Sequence, residues 1–173
     1  DFGNGLLVLT LVYGLACWFG GHERGWRDLW RRVAAFPPFW ALLAALGINA
    51  GAAPVPDAAL DALKWLGTVV ILLVPLALGI YFDLRLIGSR ALLAGIFLRV
   101  GLGLALGWLW VSVFALEGLL RSIVLIGTAA PVGFNVLVYA SLEDLDREFA
   151  ASMASLSMLL ALVYLPVIIV MLG

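Results

Sequence analysis

Five residues with special backbone or hydrogen-bonding chemistry fall in one stretch of an apolar run. In SIVLIGTAAPVGFNVLVYA, residues 122–140, these are Gly127, Thr128, Pro131, Gly133 and Asn135. Proline has no amide hydrogen, and its ring clashes with the carbonyl of the preceding turn, so Pro131 disrupts a helix at this point. Gly127 can end a first half-helix, and Gly133 lets the backbone approach a neighbour closely. Thr128 and Asn135 add side-chain hydrogen-bonding groups. Two half-helices meeting in this way present N–H groups and a positive dipole end on one side, which suits an anion. They present carbonyls on the other, which suits a cation. The same residues also fit a helix that is merely kinked, since proline is common in membrane helices.

The elements that position this stretch follow from composition. The chain has 173 residues, of which 65% are hydrophobic and 12% charged, with a mean hydropathy of +1.15. A soluble domain of this size exposes too much surface to hide so much apolar area. The apolar runs are continuous, not alternating, and approach the roughly 20 residues that cross a bilayer as a helix. The fold class is therefore an all-α integral membrane protein. Six spans are expected, at about 4–20, 36–53, 59–82, 91–115, 119–141 and 147–172. The fifth is the one broken at Pro131. Irregular backbone at membrane depth is tolerated only where it is buried in protein or lines a water-filled cavity.

Short connections make neighbouring spans antiparallel, and the arginines orient them. Arg24, Arg27, Arg31, Arg32, Arg85, Arg90 and Arg147 lie in connections on one side; Lys64 and Arg121 lie on the other. The positive-inside rule places the arginine-rich side in the cytoplasm and both termini outside. The first connection, 23–35, reads as an amphipathic helix lying in the interface. Trp26, Leu29, Trp30 and Val33 recur on one face, opposite Arg24, Arg27, Asp28, Arg31 and Arg32. It is a tryptophan-anchored connector or a site of regulation by acidic lipids. Pro37 and Pro38 begin the next span, where missing amides cost least.

The remaining candidates are weaker. Arg99 lies inside its span, either snorkelling to the interface or acting as a buried ion pair or cavity charge. Gly103 and Gly107 form a GxxxG. Ser152, Ser155 and Ser157 lie among Ala150, Ala151 and Ala154, and both patterns read as close helix packing. Glu143, Asp144, Asp146 and Glu148 read as capping and charging the start of the last helix. Asp83 reads as interfacial, and Asn4 and Asn49 as polar residues at membrane depth. Cys17 reads as a small packing residue. His22 lies beside Glu23 and Arg24 with no metal-ligand spacing around it. No HExxH, GxSxG or pair of membrane aspartates suggests an enzyme. A net charge of −1 gives no hint of a nucleic-acid partner.

TAAPVGFNVLVYASLEDLDREFAASMASLSMLLALVYLP resembles the closing helices of the auxin efflux carrier family. Pro131, Asn135, DREFAAS at 146–152 and Pro166 carry the likeness. DFGNGL at the start, FPPFWALLAALGI at 36–48 and LGTVVILLVPLALGIYFDL at 66–84 extend it. LRVGLGLAL at 98–106 resembles the helix before the break, without the proline expected there. The resemblance implies two inverted five-helix repeats whose broken helices cross at the substrate site. This chain would be the complete second repeat, 36–172, with an extra helix, 4–20, before it. It implies a secondary carrier for small organic anions such as carboxylates, with Thr128, Pro131, Gly133 and Asn135 at the substrate. It implies no cofactor beyond a coupling proton or sodium ion, and a bacterial inner-membrane location. The other half is expected upstream on the same polypeptide or on a second chain, the first residue being Asp and not Met. A scaffold or subunit that needs a partner chain is the alternative.

Overall fold

The computed structural model describes residues 2–20, 26–51 and 54–172. His22, Glu23 and Arg24 lie outside the described residues, as do the side chains of Asn4, Trp26, Asp28 and Leu29. Every regular element among the described residues is helical. They are α1 (Phe2–Leu7), a π-helical turn (Val8–Val12), α2 (Tyr13–Phe19), α3 (Trp26–Ala35), α4 (Pro37–Ala50), α5 (Asp57–Ile80), a 3-10 turn (Leu84–Leu86), α6 (Arg90–Val113), α7 (Gly118–Thr128), α8 (Asn135–Leu142) and α9 (Arg147–Leu172).

Local chemistry sets most of these boundaries. Pro37 and Pro38 open α4 after an extended Phe36. Ser89 accepts the Leu92 amide and caps α6. Asp146 accepts the Phe149 amide at 2.8 Å and caps α9. Asp83 accepts the Arg85 amide and starts the 3-10 turn. Among the described residues, three helices are long and apolar enough to cross a membrane: α5, α6 and α9. The expected spans 4–20 and 36–53 correspond to shorter apolar helical stretches, Gly5–Phe19 and Pro37–Ala50. The expected span 119–141 is two helices, α7 and α8, with no helix at 129–134.

The chain packs as two units, Asp1–Pro75 with Tyr139–Leu145, and Leu76–Val138 with Asp146–Gly173. In the first, Tyr13 stacks on Phe36 with ring centroids 4.2 Å apart, and Tyr139 closes the cluster 5.3 Å from Tyr13. Cys17 and Val33 are buried beside them, so Cys17 does serve packing. Trp30, expected on the same apolar face as Val33, is 66% exposed while Val33 is buried. Of these two residues only Val33 therefore belongs to the inner face of α3.

Glu143 corrects a second expectation. It does not cap α9; that role falls to Asp146. Its carboxylate is buried, accepting the Tyr13 hydroxyl at 2.9 Å and a guanidinium N–H of Arg32. Gly20 permits the approach, since a Cβ there would collide with the Glu143 backbone.

In the second unit, α9 packs on α6, α7 and the 3-10 turn. Its small-residue stretch makes this possible: Ala151, Ser152, Ala154 and Ser157 are completely buried. Ser152 also accepts the Asp83 amide at 3.0 Å, so this face contributes hydrogen bonds as well as small volume.

Candidate functional site

Between α7 and α8 the backbone runs unwound from Ala129 to Phe134. Such a segment inside an apolar region must find partners for its amides and carbonyls, or pay a large desolvation cost. The Ala129 and Ala130 amides turn back to carbonyls of α7, and the other partners described are side chains of α6 and α9. Arg99 on α6 donates from Nη1 to the Thr128 carbonyl at 3.1 Å. Tyr164 on α9 donates its hydroxyl to the Ala129 carbonyl at 2.7 Å. The Val132 amide donates to Ser157 Oγ at 3.0 Å, and that hydroxyl donates onward to the Ala154 carbonyl. Pro131 needs no acceptor, having no N–H.

Close packing brings α6 to the break. A Cβ on Gly103 would overlap the Thr128 carbonyl, and one on Gly107 would overlap the Thr128 hydroxyl. The GxxxG therefore has a particular task. It lets α6 pass against the end of α7, which places Arg99 at the last carbonyl. Gly133 does not have the close-approach role expected of it, since a Cβ there would meet nothing within 4 Å. Gly127 lies one residue before the end of α7 and accepts the Ala130 amide through its carbonyl.

The expected site residues fall on or beside this segment. Thr128 ends α7, and its hydroxyl turns back to the Val124 and Leu125 carbonyls at 2.9 and 3.2 Å. Pro131 is half-buried in the unwound stretch, and Gly133 is exposed. Asn135 is half-buried at the first position of α8. Arg99 is exposed and forms no ion pair with a described carboxylate. It caps a carbonyl at the negative end of the α7 dipole. Ala129 and Val132 are buried, whereas Gly133 and Phe134 are exposed, so the break is sealed on its carbonyl side and open towards α8. Sequence reasoning missed Ser157 and Tyr164 as partners of the break. The only local signal was their polarity within an apolar helix.

Among the described residues no group of three or more His, Cys, Asp and Glu side chains could hold a metal ion.

The profile of the membrane transport protein family matches residues 26–169, most of the chain. The chain belongs to this family. The match begins at α3, runs through the break and ends within α9, so the auxin efflux carrier resemblance holds at the level of family. A protein of Methanothermobacter thermautotrophicus (strain Delta H), described as an uncharacterized transporter, is 28% identical over 170 residues. The aligned region covers 96% of this chain and 54% of that relative. The chain thus spans about half the length of the curated relative it matches. No solved structure matches it. Family membership and the long apolar helices make this an integral membrane protein, and transport in the membrane transport protein family needs no cofactor.

Proposed function

We propose that the chain is the C-terminal part of a secondary active transporter, an efflux carrier for small organic anions such as carboxylates. The break between α7 and α8 is its half of the substrate site. The observation that supports this reading is the placing of hydrogen-bond donors at both ends of one unwound segment. Arg99 sits at the carbonyl end, and the first amides and dipole of α8 stand at the other, beside Asn135. With the arginine occupying the carbonyl end, both ends of the break favour an anion. Pro131 keeps the segment from closing into a continuous helix. The Asn135 amide and the backbone N–H groups at 133–135 hold the carboxylate, Gly133 leaves their approach uncovered, and Thr128 seats the end of α7 against α6. A proton or sodium ion couples the transport.

Residues 36–172 then form one five-helix repeat, 4–20 an extra helix before it, and 23–35 a cytoplasmic linker. The arginine distribution supports a cytoplasmic face for Arg85 and Arg90, a C-terminus outside, and a bacterial inner-membrane location. The crossing half of the site comes from upstream on the same polypeptide or from a second chain, a reading supported by the 54% coverage of the relative. Cysteines at Gly88 and Asp57, in a Cys17→Ala background, should label from opposite sides of the membrane. Labelling of both from one side would overturn the orientation.

The test of the site is Pro131→Ala and Asn135→Ala in the complete carrier reconstituted in liposomes. Both should abolish saturable uptake of organic anions while leaving expression and helicity near normal, and residues 1–173 alone should not transport. Uptake by both variants at the parent rate would reduce the break to an architectural feature and favour a scaffold.

A further inference from the structure

The outer face of α3 has no counterpart in the transport reading. Its inner face is committed. Val33 is buried in the aromatic cluster of the first unit, and Arg32 reaches Glu143, with side-chain exposures of 28% and 3%. Arg27 and Arg31 stand one turn apart on the exposed side and pair with no carboxylate among the described residues. Trp30 lies between them, 66% exposed. Trp40 continues this surface at 58% exposed, and its indole N–H donates to the Ala34 carbonyl, which ties the start of α4 to the end of α3.

One non-helical residue, Phe36, separates this basic helix from α4, whose sequence PPFWALLAALGINA has no charge. The change from guanidinium to hydrocarbon is therefore complete within about two turns. Such a corner belongs at the boundary between headgroups and acyl chains. Tryptophan prefers that depth because its ring is apolar and its N–H polar. Arginines spaced i, i+4 have their Cβ atoms about 6 Å apart, and guanidinium groups bind phosphate oxygens in a bidentate manner.

We propose that Arg27, Trp30, Arg31 and Trp40 form a binding surface for the phosphate of an anionic phospholipid. It is a headgroup site that fixes α3 in the plane of the membrane. Charge complementarity selects the occupant: two exposed guanidiniums beside two exposed indoles match a phosphodiester anion above an apolar tail. An acidic protein would match the arginines but leave both indoles in water. The site is independent of transport and is tested without it.

The test uses the chain in nanodiscs of equal phosphatidylglycerol and phosphatidylcholine, released and weighed by native mass spectrometry. The parent should retain phosphatidylglycerol preferentially. An interfacial basic residue is worth about fivefold in anionic-lipid binding, so Arg27→Gln/Arg31→Gln should lower the preference by about 25-fold. Arg85→Gln/Arg90→Gln, which removes equal charge from another connection, should leave most of it. Equal retention by the parent and Arg27→Gln/Arg31→Gln would overturn the site. So would equal losses from the two double variants, which would indicate general charge attraction only. Circular dichroism checks folding. If the first double variant is misfolded, Arg31→Gln alone should give about a fivefold loss, and an unchanged preference in that variant would overturn the proposal equally.

Discussion

The guanidinium of Arg99 and the carbonyl of Thr128 are 3.1 Å apart, joining the middle of α6 to the last residue of α7. This contact exists because α6 has no side chain at Gly103 or Gly107, where Thr128 comes closest. A long cation on one turn and bare backbone on the next form a single device, in which the glycines set the distance and the arginine neutralises the carbonyl end.

The two glycines should differ on substitution. At Gly103 the obstacle is the Thr128 backbone carbonyl, which cannot move without shifting the break; at Gly107 it is mainly the threonine hydroxyl. Gly103→Ala should therefore cost about 3 kcal/mol and Gly107→Ala nearer 1 kcal/mol, the span expected for overpacking. Thr128→Ala should partly rescue Gly107→Ala and leave the cost of Gly103→Ala unchanged. SDS-titration unfolding of the parent, the three single variants and the two doubles with Thr128→Ala measures this, and equal rescue of both glycines would contradict the assignment.

Ser157 should be more sensitive to substitution than Ser155, its neighbour on α9. It is completely buried and accepts the Val132 amide at 3.0 Å, whereas Ser155 is half-buried. Ser157→Ala strands a buried N–H in the break and should cost about 1–3 kcal/mol. Ser155→Ala should stay within about 0.5 kcal/mol of the parent. Tyr164→Phe, which removes the donor to Ala129, should cost about 1 kcal/mol. The same unfolding assay ranks the three, and a Ser157→Ala variant as stable as Ser155→Ala would show that Val132 has another acceptor.

The Arg32–Glu143 pair should respond asymmetrically. Arg32→Ala takes the guanidinium away from an almost inaccessible carboxylate, which keeps the neutral Tyr13 hydroxyl. Glu143→Ala leaves a guanidinium that already reaches solvent, the side-chain exposures being 28% for Arg32 and 3% for Glu143. Breaking the pair from the arginine side should cost about 3 kcal/mol, and from the glutamate side about 1 kcal/mol. The double variant should be more stable than Arg32→Ala alone. Thermal unfolding of the purified variants decides it, and a larger loss from Glu143→Ala would reverse the account.

Membrane class, helical content and the place of the break were legible along the chain, because each depends on neighbours within a turn or two. Continuous apolar runs require helices in lipid. Pro131 cannot stay inside one at no cost, and Ser89, Pro37 and Asp146 mark helix starts by short-range hydrogen bonding or by a missing amide. What supports the break was not legible. Arg99, Ser157 and Tyr164 reach it from elements far away in sequence, and no local period shows which polar side chain of an apolar helix will face an unwound backbone. The same limit gave Gly133 a close-approach role that belongs to Gly103 and Gly107. It also gave Glu143 a cap that Asp146 makes, because an acidic residue before a helix looks the same whether it turns to its own amides or to an arginine more than a hundred residues earlier. Tertiary packing decided these points, since burial and the pairing of polar groups depend on which helices meet.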